Sequence, residues 1–144
     1  MPHRPIKEVL PGHPYVCVPA DTSVREVTRL MRGARQSGAL VSVDGRLAGI
    51  FTERDATFRV LAEGLDPEAT PVGEVCTRDP VTITDDKPFG HALHMMYEGD
   101  FRHVPVVDAD GHPIGIVTAH DALGLDALAF GDELVRREEI TVIL

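Results

Sequence analysis

"GIFTERD", residues 49–55, is rewritten as "GIVTAHD" at residues 115–121. Gly49/Gly115, Ile50/Ile116, Thr52/Thr118 and Asp55/Asp121 recur at a fixed offset of 66, and Ala56/Ala122 follow. Five identities in eight positions at one offset mark an internal repeat. The residues around each copy predict the same elements in the same order. In the first half, "YVCV" (15–18) is β-rich and "PADTS" carries turn chemistry. Val24, Val27, Met31 and Ala34 then fall at helical spacing behind a capping Ser23, and Gly38 is expected to close that helix. "ALVSV" (39–43) and "RLAGIF" (46–51) flank Asp44-Gly45, a strong hairpin signal. A helix is predicted from about Thr52 to Glu63, stopped by Gly64.

The second half repeats this order. "VTI" (81–83) predicts a strand, and Phe89, Ala92, Leu93 and Met96 a helical stripe. "HVPVV" (103–107) and "PIGIV" (113–117) predict a hairpin about "DADGH", with a last helix opening at Thr118. The expected fold is therefore α+β, two pseudo-symmetric β-α-β-β-α motifs packed through their sheets, because neither half alone has much core. The expected partition is a first motif with its N-terminal segment (1–64), a connector (65–75), a second motif (76–130) and a tail (131–144). The tail ends in an apolar run that predicts a terminal strand, on a sheet edge or across a dimer.

Composition bounds the function. The chain has 144 residues, 43% of them hydrophobic and 26% charged, as expected of a globular protein that buries roughly 70% of its unfolded surface. A net charge of −9 argues against a nucleic-acid partner, which needs a basic footprint, but leaves room for a small anion in a local basic pocket. No run is apolar enough to span a membrane and the N-terminus has no secretory core, so the expected location is the cytosol. Cys17 and Cys76 have no partners at zinc spacing and are expected to be small buried hydrophobes.

Thr-x-x-Asp has two readings. It is the capping-box pattern that satisfies backbone N–H groups where a helix starts. The same geometry lets the carboxylate accept the 2′- and 3′-hydroxyls of a ribose, with the helix N-terminus favouring a nearby phosphate. The two uses are compatible. Capping alone requires neither the preceding Gly-Ile nor the duplication.

The whole pattern, and most of all "FRHVPVVDADGHPIGIVTAHDAL" (101–123), resembles the cystathionine-β-synthase (CBS) domain family. "SGALVSVDGRLAGIFTERDATFRV" (37–60) is similar, with a shorter hairpin and Val41 where a proline is typical. The resemblance covers two motifs in tandem, from about Ile6 to Leu128. It implies a stand-alone regulatory pair with up to two clefts for adenosine-containing ligands, each combining Thr-x-x-Asp of one motif with the first strands of the other. The first cleft would combine Ile50, Thr52, Arg54 and Asp55 with Val81, Arg102, His103, Val104 and Pro105, and with Arg78 as a further basic group. Val81 and Val104 would line the adenine, and Arg102 and His103 would contact phosphate. The second would pair Ile116, Thr118, His120 and Asp121 with Ala39 and Val41. There Gly38 and Ala39 stand where the basic pair would be. An acidic protein must neutralise phosphate locally. AMP or ADP is therefore expected in the first cleft, with ATP, NAD or S-adenosylmethionine as alternatives. The second is expected to be weaker, empty, or filled by a less anionic adenosyl compound.

The resemblance also implies a homodimer and an effector protein that the sequence does not name. No cofactor is required, no catalytic residue is assigned, and neither nucleic acid nor membrane is expected as a partner. An enzyme is the rival reading, but the chain has no HExxH, Walker-type glycine loop or nucleophile–base signature. His91 and His94, at i and i+3, read as solvated helix surface, and no metal is assigned. The second rival is a ligand-free dimerisation or docking module whose Thr-x-x-Asp segments are only caps, with the apolar helices "ATFRVL" and "ALGLDALAF" as its interface.

Overall fold

A computed structural model describes residues 3–143, with the backbone alone at 125–130 and 138–143. The first half contains β1 (Val16–Pro19), α2 (Val24–Ala34), β2 (Gly38–Val43) and β3 (Arg46–Thr52). It closes with α3 (Glu53–Asp55), which runs into a π-helical turn, Ala56–Leu61. The second half contains β5 (Ile83–Thr84), α5 (Phe89–Gly99), β6 (His103–Val107), β7 (Pro113–Thr118) and α6 (Ala119–Ile143). Both halves are thus β-α-β-β-α. In each, the first strand runs parallel to the second and the second pairs antiparallel with the third.

Local chemistry explains the boundaries. Ser23 Oγ accepts from Glu26 N at 3.2 Å, and Val24, Val27 and Met31 bury one face of α2. That helix ends at Arg35 in the left-handed region rather than at Gly38, which opens β2. Asp44 and Gly45 both have positive φ, 52° and 76°, the geometry that Asp-Gly supplies to a tight hairpin. Along β1, Val16 and Val18 point inward and Cys17 outward, so Cys17 is exposed against expectation while Cys76 is buried.

Two short helices precede the repeats, also at an offset of 66. They are α1 (Ile6–Val9), behind Pro5, and α4 (Val72–Val75), behind Pro71. They are exchanged. Ile6 and Val9 fill the second half's core with Ile83, Phe89, Val104 and Val117, while Val72 and Val75 fill the first half's core with Val27, Val41 and Phe51. Backbone bonds fix the exchange, from Ile6 N to Lys87 O (3.0 Å) and from Val72 N to Thr22 O (2.8 Å). The N-terminal segment therefore completes the second motif, and the connector completes the first. A four-residue helix is unstable in isolation and is held by the core that it enters.

After α4, β4 (Thr77–Arg78) joins the first sheet, giving the order β1-β2-β3-β4 beside β5-β6-β7. Leu40, Ile50 and Ile116 form one buried cluster shared by the two sheets. The terminal strand expected for the tail is instead the continuation of α6, which runs without a break at 130 to Ile143. Each residue added to an existing helix gains a hydrogen bond, whereas a strand needs a free sheet edge. Glu133 and Arg137, paired at i,i+4 and 2.7 Å, support that helix. The side chains of the terminal apolar run, like those of residues 125–130 in "ALGLDALAF", lie outside the described residues.

Candidate ligand cleft

Each Gly-Ile-x-Thr-x-x-Asp segment is the end of a strand followed by the start of a helix. Thr52 N donates to Asp55 Oδ2 at 3.0 Å, and Asp55 N donates back to Thr52 Oγ1 at 3.4 Å, a complete capping box. Thr118 N donates to Asp121 Oδ2 at 2.8 Å and Asp121 N to Thr118 Oγ1 at 3.3 Å. The capping reading therefore describes both copies. It also fixes each carboxylate at a helix N-terminus, with one oxygen engaged by the cap.

A cavity of about 1240 Å³ opens in front of the first copy and takes its walls from both halves. Ile50, Thr52, Arg54 and Asp55 enter from the first half and Val81, Arg102 and His103 from the second, seven of the ten residues expected there. Val81 precedes β5 rather than lying in it and is half-exposed, available to a flat ligand. The other three are elsewhere. Val104 is wholly buried in the second half's core, and Pro105, also buried, lies on the opposite face of β6 by strand alternation. Arg78 sits in β4, where it pairs across to Gly49 and lines a separate cavity of about 440 Å³.

Several cleft residues were not singled out from the sequence. Arg59 places Nε 3.4 Å from Asp55 Oδ1 and donates from Nη1 to Cys76 O at 3.0 Å, so it braces the carboxylate from one helical turn away. The signal was present in the i,i+4 Asp–Arg spacing. Phe58 lies under Arg54, its ring centroid 5.7 Å from the guanidinium carbon. Glu53, Asp79 and Asp100 also line the cavity. Arg54, Arg59 and Arg102 thus face those three carboxylates and Asp55, and the cleft is close to charge-balanced. His103 adds a hydrogen-bonding ring rather than a cation. Burial pushes its pKa below the ordinary 6.5, against a smaller upward pull from Glu53, and Nε2 meets Ser37 Oγ at 2.7 Å.

The second set is not gathered in the same way. Ala39 and Val41 are buried in the first half's core, and Ile116 in the cluster between the sheets. His120 is exposed, and Asp121 Oδ1 is met by His13 Nε2 at 3.1 Å. The strand register also corrects the expected correspondence. Gly38 pairs with Thr52 as His103 pairs with Thr118, and Leu40 with Ile50 as Pro105 with Ile116. Ser37 and Gly38 therefore stand opposite Arg102 and His103, and Leu40 rather than Val41 takes the proline position. The second motif still lacks the basic pair.

The CBS domain family model matches residues 6–61 and 72–127. A CBS domain-containing protein of Arabidopsis thaliana is 41% identical over 99 residues, 69% of this chain and 18% of its own length. The chain thus spans under a fifth of that relative. Among solved structures, a CBS domain protein from Pyrobaculum aerophilum complexed with AMP superposes with a TM-score of 0.74 at 27% identity, over 82% of this chain and 89% of its own. The CBS domain pair of the protein MJ0100, in complex with 5′-methylthioadenosine and S-adenosyl-L-methionine, superposes with a TM-score of 0.75 at 26% identity, over 85% and 98%.

Proposed function

We propose, from the premise that this chain belongs to the CBS domain family, that its larger cleft binds an adenosine nucleotide, AMP or ADP, and that occupancy is a regulatory signal. The observation that carries the reading is the convergence of Asp55 and Arg102 on one cavity from opposite halves. Asp55 supplies a carboxylate for the ribose diol, and Arg102 and Arg54 supply charge for phosphate. Val81 and Ile50 offer apolar surface to the base. Three arginines facing four carboxylates leave no surplus positive charge, which disfavours a triphosphate more than a monophosphate. Among similar structures, ligands carrying adenosine are AMP, 5′-methylthioadenosine and S-adenosyl-L-methionine, which supports the class.

A ligand that touches both halves favours one arrangement of them over others, and signals by shifting that population. The output passes through a homodimer or an effector protein rather than through catalysis. Phe58 and Leu61, exposed beside the cleft on the π-helical turn, and Leu123 on α6 provide apolar surface for such contacts. One observation favours the ligand-free docking reading: both aspartates complete local caps without any ligand.

Calorimetric titration of nucleotide-stripped protein with AMP decides between the two. Nucleotide binding predicts that Asp55→Ala weakens AMP by about 1.5–3 kcal/mol, because charged hydrogen bonds to the ribose are lost. Binding of AMP, ADP, ATP, NAD or S-adenosylmethionine that is absent altogether, or indifferent to Asp55→Ala, overturns it.

A further inference from the structure

The two Gly-Ile-x-Thr-x-x-Asp segments are crossed by equivalent stretches of chain. A Cβ added to Gly49 would come within 2.6 Å of Cys76 Sγ, and one added to Gly115 within 2.8 Å of Leu10 Cδ2. Leu10 and Cys76 are related by the same offset of 66 that relates α1 to α4. Three residues further on, the equivalents are His13 and Asp79, each followed by proline. These two differ in kind. Asp79 lines the large cleft, whereas His13 reaches the aspartate of the other copy, with Nε2 3.1 Å from Asp121 Oδ1.

Asp121 Oδ2 is already taken by Thr118 N at 2.8 Å, so His13 claims the remaining oxygen. In the first copy the corresponding oxygen is met by Arg59, which lies one turn along Asp55's own helix and itself lines the cavity. His13 instead arrives on the crossing segment, at the position whose counterpart faces the cavity. The segment is set for that approach. Gly12 adopts a φ of +79°, and His13 N donates to Leu10 O at 2.9 Å, turning the chain back over β7.

We propose that His13 is the residue that makes the two Thr-x-x-Asp sites unequal. It holds Asp121, and a nucleoside reaches that carboxylate only by displacing it. The inference rests on the reading of these aspartates as ribose acceptors. It goes beyond that reading by assigning the asymmetry to a residue outside both repeated segments. With no basic pair in the second motif, the class that enters is an adenosyl compound without a phosphate.

The test is the binding stoichiometry of 5′-methylthioadenosine, read by calorimetry and by native mass spectrometry. His13→Ala is expected to add one equivalent per chain over the natural sequence. His13→Lys, which keeps a hydrogen-bond donor beside Asp121, is expected to add none, and Asp121→Ala in the His13→Ala background is expected to remove the gain. A 3′-deoxy analogue, lacking half of the diol, should bind the added site at least about tenfold more weakly. His13 is exposed, so its replacement leaves both cores intact. Equal stoichiometry in the natural and His13→Ala proteins overturns the proposal, as does a gain that survives Asp121→Ala. The natural protein's own stoichiometry reports separately on the nucleotide reading of the first cleft, because only the increment tests His13.

Discussion

On the proposed reading, Arg102 and Arg54 carry the charge part of recognition and Asp55 the ribose part. If they meet phosphate, Arg102→Ala weakens AMP binding by about tenfold or more, the scale of one charge-assisted hydrogen bond. Adenosine, which lacks the phosphate, should bind both proteins within about twofold, and parallel titrations with the two ligands check this. His103 makes a different prediction. Burial lowers its pKa in the folded protein, so on acidification below about 6.5 the unfolded chain takes up this proton first. The folded state therefore loses stability as pH falls through that range, until the folded-state pKa is reached. His103→Gln, which keeps a polar group near Ser37 Oγ, should show a shallower decline of Tm between pH 7 and 5. A decline as steep as that of the natural protein would deny His103 the role.

At the level of elements, the caps and the braces are separable. Thr52→Ala removes the hydroxyl that accepts from Asp55 N and should cost about 1 kcal/mol of stability. Thr118→Ala should cost a similar amount, because its cap has the same geometry. Chemical denaturation of both variants measures this. The strand–helix junctions were legible in the sequence because each Thr-x-x-Asp is local chemistry, complete within four residues. The hairpin about Asp44-Gly45 was legible for the same reason. The register of β2 was not. Placing Ala39 opposite His103 implies hairpins that differ by two residues, whereas pairing of Gly38 with Thr52 and of His103 with Thr118 makes them differ by one, and both carry a register irregularity. Arg78 enters the expected cleft through the family resemblance alone, whereas pairing of Gly49 with Arg78 ties it to a sheet edge.

For the whole molecule, the halves depend on each other through α1 and α4. No pattern in "IKEV" or "VGEV" states which core its two apolar residues will enter, so sequence order groups the N-terminal segment with the first motif and leaves 65–75 as a connector. The exchange predicts crossed effects. Ile6→Ala, a substitution near the N-terminus, should cost about 2–5 kcal/mol and raise hydrogen exchange most in β6, β7 and α5. Val72→Ala should raise it most in β1, β2 and α2. The cleft takes its walls from the parts so coupled, so on the proposed reading a bound nucleotide would touch both halves. Among the described residues no helix is long and apolar enough to cross a membrane, and the cleft takes its walls from both motifs. The most direct test is a crystal structure of the protein grown with AMP. Nucleotide binding in this cleft predicts the ribose diol on Asp55, the phosphate beside Arg102 or Arg54, and the base against Val81. A phosphate found only beside Asp121, or a cleft that stays empty at saturating AMP, would contradict it.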